Sequence, residues 1–296
     1  MTLKSLLSGL AVLALASVLS AADAPPDAAP PQKWESQGFN LIPRSMQRDP
    51  RLDLSVITEM TKDGRALPTP SSAHPVYFTI LDSGEKEEGD IVGGEQKPRP
   101  ELLRASMLKA LRVNGYYPSD AAHPPTQLIN FVWGSFNSLT LTGQDDDLEL
   151  QNLASRAALV GGVRFASDFM KARLQGQMFL RAFRQRDPHN EWLVGLAEGN
   201  LYFIIATSYD YAAAMQDQKK ILWRTKMSTD SNGVTMDNSV PTLVENSGAY
   251  FGKESPPVRL DRPEVKEGKV EIGTATVENY EDPGAPKATQ VPEKKP

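Results

Sequence analysis

Tyr209-Asp210-Tyr211 places a carboxylate between two phenols at the end of an apolar run, the most conspicuous polar-aromatic group in the chain. Arg224, on the next predicted strand, is placed to pair with Asp210 or to share a pocket with it. Trp133-Gly134-Ser135-Phe136-Asn137 approaches a nucleophile elbow but lacks its second glycine. Ser135, Asn137, Tyr209, Asp210 and Arg224 are therefore the candidate members of any pocket assembled from distant segments. No base or nucleophile completes a dyad among them, so no catalytic residue is assigned.

Other chemical templates fail on particular residues. There is no phosphate-cradling glycine loop and no His-Glu-x-x-His. His74 and His123 precede prolines and His189 follows one, a context that marks turns, and no two have metal-ligand spacing. Asp145-Asp146-Asp147 with Glu149 offers oxygen ligands for calcium, but the alternation and glycine of an EF-hand are missing. The same run precedes a helix, where negative charge is favourable against the dipole. No metal and no cofactor is assigned.

A long helical insertion spans 148–199, with its main helical run at 148–186 and a break at Gly161-Gly162. Beyond the break, Phe165, Phe169, Phe179 and Phe183 fall within one narrow stripe, flanked by cations that include Lys171 and Arg181. Such a helix either packs its stripe on a core or offers it to anionic lipid or to a partner's groove. A further helix is expected after Asp187-Pro188, with aspartate as N-cap and proline at the first helical position.

The elements around these residues follow from periodicity. Leu52 to Met60 alternates as a strand with one wet face, followed by an Asp63-Gly64 turn. Val76 to Leu81 is a stronger strand, and the acidic 82–96 segment, without periodicity, reads as a surface loop. Leu103, Met107, Ala110 and Leu111 predict a helix from Glu101 to a stop at Asn114-Gly115. Leu128–Phe136 is a strand. Leu201 to Ala206 is apolar on both faces, which places the 200–211 strand in the middle of a sheet. In Lys220–Met227, Trp223 belongs to the buried face, and Lys220, Arg224 and Lys226 to a solvated one. A last helix runs from Met236 to Phe251, striped by Val240, Leu243 and Val244.

The ends carry other information. Lys4, an apolar run from Leu6 to Leu19 and small residues at Ser20-Ala21-Ala22 read as a secretory signal peptide cleaved near Ala22. The product would be periplasmic or extracellular, with no transmembrane segment in the mature chain. Losing Lys4 takes the formal charge from −5 to −6, which gives no support for nucleic acid as a partner. The chain has no cysteine, which excludes disulfide stapling, thiolate catalysis and cysteine-bound zinc. Residues 23–33 read as an Ala/Pro-rich disordered spacer, 34–252 as one domain, and 253–296 as a Pro/Lys/Glu-rich, mostly disordered tail in which only Val270–Val277 has strand character.

Gly38-Phe39-Asn40-Leu41-Ile42-Pro43, Asn114-Gly115-Tyr116-Tyr117-Pro118, Tyr209-Asp210-Tyr211 and Leu222-Trp223-Arg224-Thr225 resemble a family of uncharacterised secreted bacterial proteins, over Gly38 to Gly252. At the level of fold, the element order also resembles the CsgG-type and TolB amino-terminal periplasmic α/β domains, which implies an assembly or interaction module. The expectation is an α+β fold whose mixed or largely antiparallel sheet is covered by helices. Its expected function is that of a non-catalytic envelope module binding an unknown envelope protein or polymer. The alternatives are an enzyme with its site near Tyr209–Tyr211, or a peripheral membrane protein using the Phe165–Phe183 helix.

Overall fold

The computed structural model describes residues 52–91, 95–139 and 146–261. Residues 1–22, expected to be a signal peptide, residues 23–33, expected to be a spacer, the Gly38–Pro43 phrase, Asp145 and Val270–Val277 lie outside the described residues. In chain order the elements are β1 (Asp53–Met60), α1 (Lys62–Arg65), β2 (Val76–Glu88), α2 (Pro100–Val113), β3 (Tyr116–Pro118), β4 (Gln127–Phe136), α3 (Asp146–Leu174), α4 (Gln177–Gln185), α5 (Pro188–Glu198), β5 (Leu201–Asp210), α6 (Tyr211–Ala214), β6 (Ile221–Asp230), α7 (Met236–Ser247), a 3-10 turn (Gly248–Tyr250) and β7 (Ser255–Asp261).

The strands form one sheet in the order β3-β2-β4-β5-β6-β1-β7. β2 runs parallel to β3 and β4, and the remaining pairings are antiparallel. This is an α+β fold with a mixed sheet. β5 is its central strand, and the both-faces-apolar run explains why: Tyr202, Ile204 and Ala206 enter one core, Leu201 and Phe203 the other. On the first face, α2 presents Leu103, Met107, Ala110 and Leu111, and α7 presents Met236, Val240, Leu243 and Val244. Both sets follow i, i+4, i+7, i+8, one stripe of a helix. On the second face lie α3, α4 and α5, which are the helical insertion.

That second cover corrects the reading of β1 as half-wet. Ser55 and Ile57 are buried beneath α3. Lys226 of β6, expected in water, is buried with them. The reason lies in the kink of α3. Gly162 has φ 79° and ψ 174°, which ends one helical run and starts another. A helix end leaves its last four carbonyls without intrahelical donors. Lys226 Nζ donates to the Ala158 carbonyl (2.9 Å) and Ser55 Oγ to that of Val160 (2.7 Å). A cation at a helix C-terminus also complements the dipole. Glu59 Oε2 completes the site, 2.9 Å from Lys226 Nζ.

Other expectations change at edges and turns. The 82–96 segment is not all loop, because β2 continues to Glu88 through a register shift between Asp82 and Glu85. β3 pairs only with Val76–Phe78, so the rest of β2 is an edge, where charged side chains are at home. Lys86–Glu88 and Lys97–Glu85 ion pairs line it. The described chain continues past the expected boundary at 252: β7 adds to β1 as the opposite edge and carries Pro256-Pro257, which an edge tolerates. Asp63-Gly64 is a single helical turn, α1, capped by Thr61 Oγ1. The phenylalanine helix is two helices, broken at Gln175-Gly176.

Candidate functional site

The candidate site is a cleft of about 290 Å³ where the ends of β1, β3, β4 and β6 meet two connecting segments. Met60 and Trp223 are register partners on β1 and β6, and both line it. Trp223 is only 2% exposed, as its place on the buried face of β6 requires. Its indole packs edge-on against Tyr116 of β3 (centroids 5.8 Å apart) and at a tilt against Phe251 (6.0 Å). Such aromatic contacts add to the burial of both rings.

Three devices shape the walls. Thr61 fastens α1 to β6: its N–H donates to the Leu222 carbonyl (3.0 Å) and its hydroxyl to that of Ile221 (2.8 Å). Leu67-Pro68-Thr69-Pro70 then forms one wall, with φ fixed at each proline. On the other side Gly252, at φ +67°, crosses directly above the Tyr116 hydroxyl, where a Cβ would collide with it. The rim carries Lys253 and the paired side chains of Arg65 and Glu254, both about half exposed. That pairing holds the Glu254 carboxyl below its usual range.

Polar and apolar groups contribute about equally to the lining. Burial pushes the Tyr116 phenol far above its usual range, only partly offset by its contact with the Trp223 indole. Trp223 Nε1 closes no full hydrogen bond among the described residues. Gln127, the first residue of β4, is also buried and accepts from Ser208 Oγ (2.7 Å). A cleft lined about equally by polar and apolar surface, with an indole, an amide and a charged rim, is suited to a group that has both apolar and polar parts. Among the described residues that line it, no hydroxyl is hydrogen-bonded to a carboxylate or an imidazole.

The five residues expected to share a pocket do not do so. Ser135 pairs with Tyr202, and Leu128 with Tyr209, so Ser135 and Tyr209 lie seven residues apart along β4, about 23 Å. Tyr209 and Arg224 do come together: burial raises the Tyr209 phenol and the nearby guanidinium opposes the shift. Asp210 turns away from Arg224. It caps α6 by accepting from Ala213 N (3.0 Å) and lies 3.5 Å from Lys220, and these contacts lower its pKa. Arg224 Nε instead donates to Thr207 Oγ1 (3.4 Å). Asn137 is structural, donating to the Asp90 carbonyl (2.8 Å).

Ser135 belongs to a different cluster. It and Tyr202 donate to the Glu95 carboxyl, which burial raises above its usual value, with Glu87 and Glu85 adding to the shift. Glu95 lies in the aperiodic segment, where no pattern singles it out. This cluster stands outside the cleft. The other candidate set divides as well. Phe165 and Phe169 are buried and stacked on each other, Phe183 is half-buried, and Phe179 is exposed. Asp146 and Asp147 sit exposed in the first turn of α3. His123 is held by Asp120 and stacks on Tyr77, and His74 closes a turn with Ser71. Among the described residues no group of His, Cys, Asp and Glu is arranged to hold a metal ion. No described helix is long and apolar enough to cross a membrane.

No family model matches the sequence, and no curated protein does. Among solved structures, a PelC dodecamer from Paraburkholderia phytofirmans aligns with 68% of this chain and 98% of its own, at 6% identity and a TM-score of 0.29. A likeness at that level says nothing about what this chain does.

Proposed function

We propose that this protein is an exported, non-catalytic module of the cell envelope that binds an envelope protein or polymer through the Trp223 cleft. The observation that carries this reading is the cleft itself: an aromatic floor, a proline-stiffened wall and a rim whose Arg65 and Glu254 are already paired. Walls made rigid before binding reduce the ordering cost of association, as a recognition site needs. The leader-like Met1–Ala22 segment supports export.

The test is capture from envelope extracts with the immobilised chain and with Leu67→Arg. Leu67 lines the cleft and is 46% exposed, so a long cation there obstructs the cleft without entering the core. A partner retained by the wild type and lost by Leu67→Arg supports the reading. Equal retention by both overturns it. Export is tested separately, by the mass of the product recovered outside the cytoplasm, which should begin at Asp23.

A further inference from the structure

The α3–α4 corner leaves a second surface that the cleft does not involve. Leu174, Met178 and Phe179 fall within six residues around the Gly176 turn and are 71%, 75% and 48% exposed. Phe165 and Phe169, earlier on α3, are buried, whereas Phe179 at the corner is not. Exposed Lys171 lies one turn before Leu174, and exposed Arg181 follows Phe179. Neither side chain has an ion-pair or hydrogen-bond partner among the described residues. Between 163 and 186 the chain carries six cations against Asp168 alone, although its formal charge is −5.

We propose that this corner is a peripheral membrane-binding tip, whose apolar side chains enter the interfacial region of an anionic bilayer while Lys171 and Arg181 meet its headgroups. Charge complementarity selects the occupant. A second copy meeting it corner to corner would bring cations against cations. A protein partner would have to supply a groove for a projecting corner, whereas a lipid interface accepts one without a matching shape. Long cations flanking the tip can keep their stems in the apolar zone and their charges at headgroup level. The proposal does not depend on the cleft.

Vesicle co-sedimentation tests it, using Asp23–Pro296, which keeps every described element and omits the apolar leader. The expected result is pelleting with phosphatidylcholine–phosphatidylglycerol vesicles at low salt, and little with phosphatidylcholine alone. Met178→Ser/Phe179→Ser should abolish pelleting, and Lys171→Gln and Arg181→Gln should each weaken it about fivefold. These side chains are exposed, so all variants should melt as the wild type does, and Leu67→Arg should still pellet. Wild-type protein left in the supernatant on anionic vesicles overturns the proposal, even if it binds an acidic protein. So does pelleting that the Met178/Phe179 variant retains in full.

Discussion

Substituting alanine at two glycines that fall within helical segments of the sequence should change stability in opposite directions. Gly195 lies within α5, exposed, and a Cβ there would meet nothing within 4 Å. Alanine is favoured over glycine in a helix by about 0.8–1.0 kcal/mol, so Gly195→Ala should stabilise the protein by nearly that much. Gly162 is within α3 by sequence, yet its φ of 79° and ψ of 174° lie in a region essentially restricted to glycine. Holding alanine there costs about 1–3 kcal/mol. Its Cβ would also come within 2.6 Å of Ile57 Cδ1 and 3.1 Å of Glu59 Oε1, so the partner of Lys226 would have to move.

For a domain of this size 1 kcal/mol is worth about 2–4 °C in Tm. Gly195→Ala should therefore raise Tm by about 2–4 °C, and Gly162→Ala should lower it by about 2–12 °C. Far-UV circular dichroism melts and urea titrations of the same samples would measure both, with an unchanged m-value showing that the states compared are the same. If Gly162→Ala stabilises as Gly195→Ala does, α3 is straight. The account of why Lys226 and Ser55 are buried beneath it would then fail.

Three further outcomes follow from the charged groups. Arg65→Ala removes a half-exposed rim pair and should change stability by less than about 1 kcal/mol in the same melts; a larger loss would show that Glu254 anchors the chain. Burial, more than any other influence, lowers the His189 pKa below its ordinary 6.5, with Asp187 opposing. The unfolded chain therefore binds the proton first, and wild-type stability relative to His189→Gln should fall as pH drops through 6.5, levelling off below the folded pKa. Burial likewise lowers Lys226 from 10.5 despite Glu59, so its charge opposes folding, and wild-type stability relative to Lys226→Met should rise as pH climbs from the folded pKa towards 10.5. A flat difference between variant and wild type across either window would refute the corresponding assignment.

Elements whose burial is complete on one side or both are legible in the amino-acid order. Leu201–Ala206 announces a central strand, and the α2 and α7 stripes announce helices on one face, because alternation and 3.6-residue spacing directly record which side is buried. The same rule misreads β1 and β6, where Ser55 and Lys226 look like solvent residues until α3 is placed over them. Polar edges defeat it too. β2 beyond Leu81 and β7 carry charges and prolines because an edge lacks one neighbour, and the pattern cannot distinguish that from a loop. The cleft was legible only in Trp223. Its lining comes from 60–70, 116, 127, 222–223 and 252–254, brought together by register across four strands and not by local spacing.

Cations adjacent to helices on this scaffold therefore divide by what they satisfy. Lys226 is buried because a kinked helix presents carbonyls that need a donor, and Ser55 serves the neighbouring one. Arg173 and Arg184 reach back to Glu198 at the end of α5, joining the insertion to itself. Each of these charges has an internal purpose, and no external ligand is needed to account for it. Lys171 and Arg181 have none among the described residues, and they flank the three most exposed large apolar side chains of the α3–α4 corner. A charge that helps neither the fold nor a neighbour leaves solubility or an external anion as its role. Solubility does not explain the apolar residues beside it, whereas the proposed anionic surface would account for both.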